Sequence, residues 1–160
     1  MGNGWSARRR SCWSSAPVRR SGPTCCTGYG EADRIAGVEK LTSNELPRPA
    51  GPYSHVVVAN GFAFTAGFGP HDPVTGELPD GIEAQTEAVI RNVERALAAV
   101  NLDLSSVVKV TAHLADLADF AAYNRVYERM FPAPYPVRTT VGSQLSGFLV
   151  EIDVVAALPQ

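Results

Sequence analysis

The dipeptide Asn60-Gly61 constrains the fold of this chain more than any other local feature. It separates two β-rich runs, residues 55–59 and residues 62–66. A two-residue Asn-Gly loop between such runs is the strongest short signal for a β-hairpin, because both residues tolerate a positive φ. We therefore expect two antiparallel strands here, and any fold assigned to the chain has to contain them.

Helical and strand periodicities alternate after this hairpin. Apolar residues recur at helical spacing from 82 to 100, and Asp80 is the expected N-cap with Glu83 as its capping-box partner. Residues 107–114 alternate as in a strand, with Val108 on the apolar side. The order strand, helix, strand predicts a parallel pair joined by a right-handed crossover.

A second helix and two further strands complete the predicted body. The helix starts at Asp119 and ends at a proline-rich stretch, and its expected buried side consists of Phe120, Tyr123, Tyr127 and Met130. Strands are expected at 138–143 and 148–158. The predicted order is ββαβαββ, one mixed sheet with both helices on one face. The other face then needs a cover, which further copies of the chain would supply.

The first 40 residues differ in composition from the rest of the chain. They contain seven Lys/Arg and three Asp/Glu, a net charge of +4, whereas residues 41–160 contain seven Lys/Arg and thirteen Asp/Glu, a net charge of −6. Residues 1–40 show no periodicity, and we expect a disordered extension or one that results from a wrongly assigned start codon, with Val38 as the alternative start. Residues 41–160 are expected to form one globular domain. No apolar run reaches the roughly 18 residues of a membrane-spanning helix.

Patterns typical of metal or cofactor sites are absent from the sequence. The three cysteines all lie in the first 40 residues, and neither they nor the three scattered histidines (His55, His71 and His113) have metal-ligand spacing. There is no phosphate-binding loop and no nucleophile elbow. We therefore expect no metal and no cofactor, and the cysteine-free body is consistent with a reducing cytoplasm.

Charged residues inside apolar strands are the candidates for a site. Arg138 precedes one such run, and Glu151 and Asp153 share one face of the last strand. If these two strands pair, the guanidinium lies near the carboxylates. A guanidinium matches the two oxygens of a substrate carboxylate, and a neighbouring carboxylate can deprotonate water. The alternative is a structural ion pair at a subunit contact.

Two neutral polar residues are further candidates. Tyr53 lies on a proline-fixed turn before the first strand, where it either donates to a ligand or packs against the core. Asn124 lies among apolar neighbours on the second helix and needs a buried partner.

Eight ordered segments together resemble the RidA (YjgF) family of reactive intermediate deaminases. They are residues 49–54, 64–67, 72–77, 82–86, 107–111, 119–124, 136–141 and 150–153. The resemblance is collinear from about Leu41 to Leu158. It implies a chorismate-mutase-like α+β fold, with a mixed six-stranded sheet, two helices on one face, and a homotrimeric barrel whose ligand pockets lie between subunits.

The resemblance also implies an activity and a set of site residues. The activity is hydrolysis of enamines and imines such as 2-aminoacrylate to 2-keto acids and ammonia. Arg138 is expected to bind the substrate carboxylate, Glu151 to place the water and Thr140 to contribute further contacts. The expected substrate-binding residues are Tyr53, Ala66, Gly67, Asn124 and Thr139.

The chain departs from the family pattern, and other functions remain open. Residues 66–69 read Ala-Gly-Phe-Gly where the family usually has Ser-Gly-Gln, so Phe68 is expected to narrow or re-shape the cleft, and the loop at 145–147 is short. The alternative function is a non-catalytic trimeric protein that binds keto acids in the same cleft. An endoribonuclease activity is disfavoured, because the net charge of −6 in residues 41–160 opposes RNA binding. No membrane or nucleic-acid partner is expected.

Overall fold

The computed structural model describes residues 37–159, so the extension up to residue 36 lies outside the described part. Six strands and two α-helices occur in that part. In chain order they are β1 (Val38–Leu41), β2 (Val56–Ala59), β3 (Phe62–Thr65), α1 (Ile82–Ala98), β4 (Val107–Leu114), α2 (Phe120–Met130), β5 (Val137–Gly142) and β6 (Val150–Ala157). Single 3₁₀ turns precede β4 and α2. Neither described helix is long and apolar enough to cross a membrane.

The strands form one mixed sheet in the order β1-β2-β3-β6-β4-β5. The predicted hairpin is confirmed: β2 and β3 are antiparallel around Asn60 and Gly61, whose φ angles are 50° and 80°. All other neighbours are also antiparallel except β4 and β5, which are parallel and are connected by α2. The mixed sheet with two helices therefore agrees with the sequence-based expectation.

Two features of the topology differ from the prediction. The strands β3 and β4 run parallel, as predicted, but they do not pair with each other, because β6 lies between them and is antiparallel to both. The predicted order also lacks β1, whose sequence Val-Glu-Lys-Leu has two adjacent charged residues and no strand alternation. Because β1 pairs with β2, the sheet includes residues 38–40, which were expected to belong to the extension.

The start of α1 also differs from the prediction. The N-cap is Gly81, with φ of 78°, and no side chain caps the helix, so the expected capping box of Asp80 and Glu83 is wrong. Asp80 lies one residue too early to accept from the first helical amides. Glu83 instead accepts a hydrogen bond from Arg125 on α2, whose Nε lies 3.2 Å from its Oε1.

Both helices pack on one face of the sheet, and the core lies between the helices and the sheet. On β6, the side chains that face this core are Val150, Ile152, Val154 and Ala156. The opposite side, called here the open face, carries Glu151 and Asp153 together with exposed apolar residues, which include Phe62, Phe64, Val137 and Val141. None of the described helices covers the open face.

Two apolar residues that were expected to be buried are exposed. Val108 is 41% exposed because the β4–β6 register shifts between Val107 and Lys109. Phe120 is 42% exposed, because it lies in the first turn of α2 rather than in its centre.

Candidate functional site

Arg138 lies on the edge strand β5 and faces the helices. Its register partner on β4 is the buried Val110, so its side chain points to the helix side of the sheet. There its Nη2 donates a hydrogen bond to Asn124 Oδ1 at 2.8 Å. Three aromatic rings of α2 surround the guanidinium carbon, with centroids at 4.3 Å (Tyr127), 5.3 Å (Tyr123) and 5.7 Å (Phe120).

These contacts fix the guanidinium but leave most of its donors free. A guanidinium has five N–H donors, and among residues 37–159 only Asn124 accepts one of them. No carboxylate of the described residues lies within ion-pair distance of Arg138. Next to it is a cavity of about 350 Å³, called here the Arg138 cavity, which is lined by Asn124, Tyr127, Glu128, Tyr135, Pro136 and Arg138. An oriented guanidinium with unused donors beside a cavity can bind a carboxylate.

Three buried hydroxyl groups lie around Arg138. The hydroxyls of Tyr123, Tyr127 and Thr140 make no hydrogen bond of regular geometry with the described residues, although the Tyr123 phenol lies close enough to Thr140 and Arg138 to interact weakly with both. Burial raises the pKa of Tyr127 to about 12. Burial likewise raises the pKa of Tyr123, against the opposing effect of the Arg138 charge. Both phenols therefore remain neutral hydrogen-bond donors near pH 7.

Glu151 lies on β6 and faces the open side of the sheet. Its carboxylate packs against the bare backbone of Gly67, where a Cβ atom would lie only 2.5 Å from Glu151 Oε1. No side chain of the described residues forms a hydrogen bond or ion pair with this half-buried carboxylate. Beside it is a cavity of about 630 Å³, called here the Glu151 cavity, whose lining includes Arg48, Tyr53, Gly67, His71, Phe148 and Glu151. The carboxylate is thus free to accept a proton from a bound molecule.

The segment before β2 brings Tyr53 to the same cavity. His55 is buried and anchors this segment, because its Nδ1 accepts from Ser43 N–H and its Nε2 donates to the Pro47 carbonyl, both at 3.0 Å. The phenol oxygen of Tyr53 accepts from Ala50 N–H at 3.1 Å, and the side chain is 47% exposed. Tyr53 can therefore donate its hydroxyl proton to a ligand in the Glu151 cavity.

Arg138 and Glu151 are not close to each other within one chain. The expectation that their strands pair is wrong, because β4 lies between β5 and β6. Two strand spacings separate β5 from β6 by about 10 Å, and the two side chains point to opposite faces of the sheet. One small molecule cannot contact both groups of the same chain.

The remaining predicted site residues divide between the two cavities or lie outside them. Thr140 shares the helix-facing side of β5 with Arg138, whereas Thr139 points to the open face and is exposed. Gly67 lines the Glu151 cavity, but Ala66 does not, and its N–H bonds to the His55 carbonyl at 2.9 Å. Phe68 is only 5% exposed, belongs to the core and is among the residues that line the Glu151 cavity, so its effect on the shape of the cleft stays a prediction.

Sequence reasoning missed the aromatic contacts of both cavities. The rings around Arg138 were assigned to packing, although their spacing on α2 places them on the same side as Asn124. His71 and Phe148 form an edge-to-face pair at 5.6 Å in the wall of the Glu151 cavity. No local motif marks these two residues, because 77 positions separate them in the chain and only the fold brings them together.

Comparisons with known proteins agree with this architecture. A family model described as endoribonuclease L-PSP matches residues 43–158. The chain is 40% identical over 123 residues to the chloroplastic reactive intermediate deaminase A of Arabidopsis thaliana. The aligned region covers 75% of this chain and 66% of that protein. The crystal structure of RidA from the Antarctic bacterium Psychrobacter sp. superposes with a TM-score of 0.72 at 32% identity, covering 75% of this chain and 99% of that one. The crystal structure of E. coli TdcF with bound serine superposes with a TM-score of 0.71 at 30% identity, and the match covers 76% of this chain and 99% of TdcF.

Proposed function

Because this chain belongs to the endoribonuclease L-PSP family, which includes the RidA and YjgF proteins, we propose that it is an imine deaminase. It hydrolyses reactive enamines and imines of the 2-aminoacrylate type to 2-keto acids and ammonia. The observation that carries this proposal is the guanidinium of Arg138, which aromatic rings and Asn124 hold in place and which lines a cavity without a carboxylate partner among the described residues.

The proposed active site combines two copies of the chain. Arg138 and Glu151 lie on opposite faces of one sheet, so they meet around one substrate only if the Arg138 cavity of one copy adjoins the Glu151 cavity of another. The exposed apolar side chains of the open face, such as Phe64 and Val137, favour such an assembly. The assembly that we propose is a homotrimer.

Arg138 binds the substrate carboxylate in this site. Its fork-shaped donors fit two carboxylate oxygens, and cation–π contacts of roughly 0.5–2 kcal/mol each keep the fork oriented. The unpaired hydroxyl of Thr140 on the same strand is a further donor. In the neighbouring copy, Tyr53 is positioned to donate to the substrate from across the cavity.

Glu151 manages the protons of the hydrolysis. The enamine first tautomerises to the imine, whose protonated form is electrophilic at C2. Glu151 accepts a proton from water as the new C–O bond forms, and it returns that proton to the amino nitrogen. The C–N bond then breaks, the hydroxyl proton passes to Glu151, and ammonia leaves with that proton as ammonium. Imine hydrolysis is intrinsically easy, so positioning and one proton carrier account for the acceleration.

The family description names a ribonuclease, but the charge of this chain opposes that activity. Residues 41–160 carry a net charge of −6, whereas binding an RNA backbone requires basic surface. The arginines on the outer side of the helices are also paired with acids, as Arg125 is with Glu83 and Arg129 with Glu87. The deaminase proposal therefore fits the described surface better.

A coupled assay tests the proposal. A dehydratase that generates 2-aminoacrylate or 2-aminocrotonate is mixed with semicarbazide, which traps the imine, and keto-acid release is followed with and without the protein. We expect the wild-type protein to accelerate release, and Arg138→Ala to lower the rate by about 10²-fold or more, because the substrate is no longer oriented.

Arg125→Ala is the matched control. Arg125 lies on α2 and pairs with Glu83 at the surface, so this variant removes an arginine outside both cavities and leaves the rate unchanged. Glu151→Gln should abolish turnover while 2-ketobutyrate still binds. If the wild-type protein binds keto acids but never accelerates their release, the protein is a non-catalytic binding protein and the deaminase proposal is wrong.

A further inference from the structure

We propose that the Glu151 cavity is a subsite for the substrate's side chain, and that this chain prefers imines of bulky apolar or aromatic 2-amino acids to 2-aminoacrylate. This inference rests on the proposed function, since it names the substrate class of the same site.

The positions of the reacting groups place the substrate's side chain next to this cavity. When the substrate carboxylate is bound to Arg138 of one copy, the electrophilic C2 lies beside Glu151 of the neighbouring copy. Every further atom attached to C2 then lies near Glu151, whose carboxylate is itself part of the cavity wall. The cavity is therefore where a substituent larger than one carbon is accommodated.

The size of the cavity fits a large substituent. In a single copy, before a second copy adjoins it, its volume is about 630 Å³, and pockets of roughly 300–1,000 Å³ hold molecules of drug size. The side chain of 2-aminoacrylate is a single carbon and makes few contacts in such a space. A benzyl or isobutyl group has enough surface to contact the opposite wall.

One part of the wall offers an aromatic surface, although the lining also contains the polar residues Arg48, Asp72 and Ser146. Phe148 and His71 pack edge to face at 5.6 Å, and the pair packs on the bare backbone of Gly69. A Cβ atom at Gly69 would lie 3.4 Å from Phe148 Cζ and 3.3 Å from His71 Nδ1. Tyr53 adds a half-exposed ring to the same cavity. Aromatic rings at such positions favour offset or edge-to-face contacts with a further ring.

One generator of imines tests the preference directly. An L-amino acid oxidase produces the imines of phenylalanine, leucine and alanine, and semicarbazide competes for each of them. The imine from alanine is the tautomer of 2-aminoacrylate and serves as the small reference. We expect kcat/KM for the phenylalanine imine to exceed that for the alanine imine by about tenfold or more, since apolar contacts of a few carbons discriminate by 10–200-fold. If kcat/KM for the phenylalanine imine is equal to or lower than that for the alanine imine, the proposal is overturned.

Variants of Phe148 connect the preference to the cavity wall. Phe148→Ala removes the aromatic wall and should lower the phenylalanine-to-alanine ratio of kcat/KM by about tenfold. Phe148→Leu keeps most of the apolar volume and should retain most of the ratio, which also guards against a folding defect in the alanine variant. A ratio that is the same in wild type and in Phe148→Ala refutes the assignment of this wall.

Product binding separates this inference from the proposed function. Calorimetry should show phenylpyruvate binding more tightly than pyruvate to the wild-type protein, and this difference should shrink in Phe148→Ala. Turnover of the alanine imine without a preference for larger imines rejects the subsite alone. Absence of turnover for every imine rejects the proposed function, and the two binding constants still decide whether the subsite exists.

Discussion

Gly67 shows how closely single atoms determine the geometry of the site. The Glu151 carboxylate occupies the space where any other residue would place its Cβ, 2.5 Å from Oε1. Gly67 does not have a positive φ, so the backbone accepts alanine without strain. We expect Gly67→Ala to displace the carboxylate and to lower kcat/KM in the semicarbazide assay by about tenfold or more, while the protein still folds.

Gly142→Ala is the control for this prediction. Its Cβ would make an ordinary contact of 3.4 Å with Leu117, and its φ is also not positive. Gly142 lies outside both cavities, so turnover should stay at the wild-type value. Equal turnover in Gly67→Ala and Gly142→Ala would show that the position of Glu151 does not matter.

The raised pKa of Tyr127 leads us to expect a loss of stability at alkaline pH. Its pKa is raised to about 12 in the folded chain, mainly by burial, whereas an unfolded tyrosine titrates near 10. Between these values the unfolded state loses protons that the folded state keeps, so the free energy of unfolding falls as pH rises. Urea titrations from pH 9 to 12 should show a shallower fall in Tyr127→Phe than in wild type. Identical slopes would contradict the raised pKa.

At the scale of elements, His55 connects the segment before β2 to the sheet. Both ring nitrogens bond to backbone groups at 3.0 Å, and the ring packs beside Phe68 with centroids 5.9 Å apart. His55→Phe keeps the packing but leaves Ser43 N–H and the Pro47 carbonyl without these partners. We expect destabilisation on the order of 1–3 kcal/mol, measured by urea unfolding, and faster hydrogen exchange at the Ser43 amide. Unchanged exchange at this amide would show that His55 does not hold the segment.

Sequence periodicity predicted most elements but not all of their neighbours. The hairpin, both helices and β4 follow from local patterns, because each has a strong period or a decisive turn. β1 was missed because four residues with two charges carry no period, and it is a strand only because β2 offers a free edge. The insertion of β6 between β3 and β4 is a long-range pairing, which local patterns do not encode.

At the scale of the whole molecule, the residue types of the site were predictable, but their arrangement was not. Arg138 and Glu151 stand out in the sequence because Arg138 precedes a β-rich run and Glu151 lies inside an apolar one. That they face opposite sides of the sheet follows from the strand order and register, which the sequence did not reveal. If one substrate contacts both groups, as proposed, they come from two copies of the chain, which agrees with the family resemblance that places the pockets between subunits.

The open face supports the proposed assembly independently of the chemistry. Val137 is 69% exposed, Phe64 is 43% exposed and Phe62 is 40% exposed, all on the side of the sheet without a helix. Such a patch on a small domain is typical of a protein–protein interface.

Mixing two inactive variants tests the shared site most directly. Arg138→Ala and Glu151→Gln chains with different affinity tags are co-expressed, and oligomers that contain both chains are purified and assayed for imine hydrolysis. If each site takes Arg138 from one copy and Glu151 from the next, every mixed trimer has one site in which both residues are intact. About one third of the sites in the purified mixed oligomers are then restored, and activity returns although each variant alone is inactive. Mixed oligomers that contain both chains and remain as inactive as either variant alone would contradict the account.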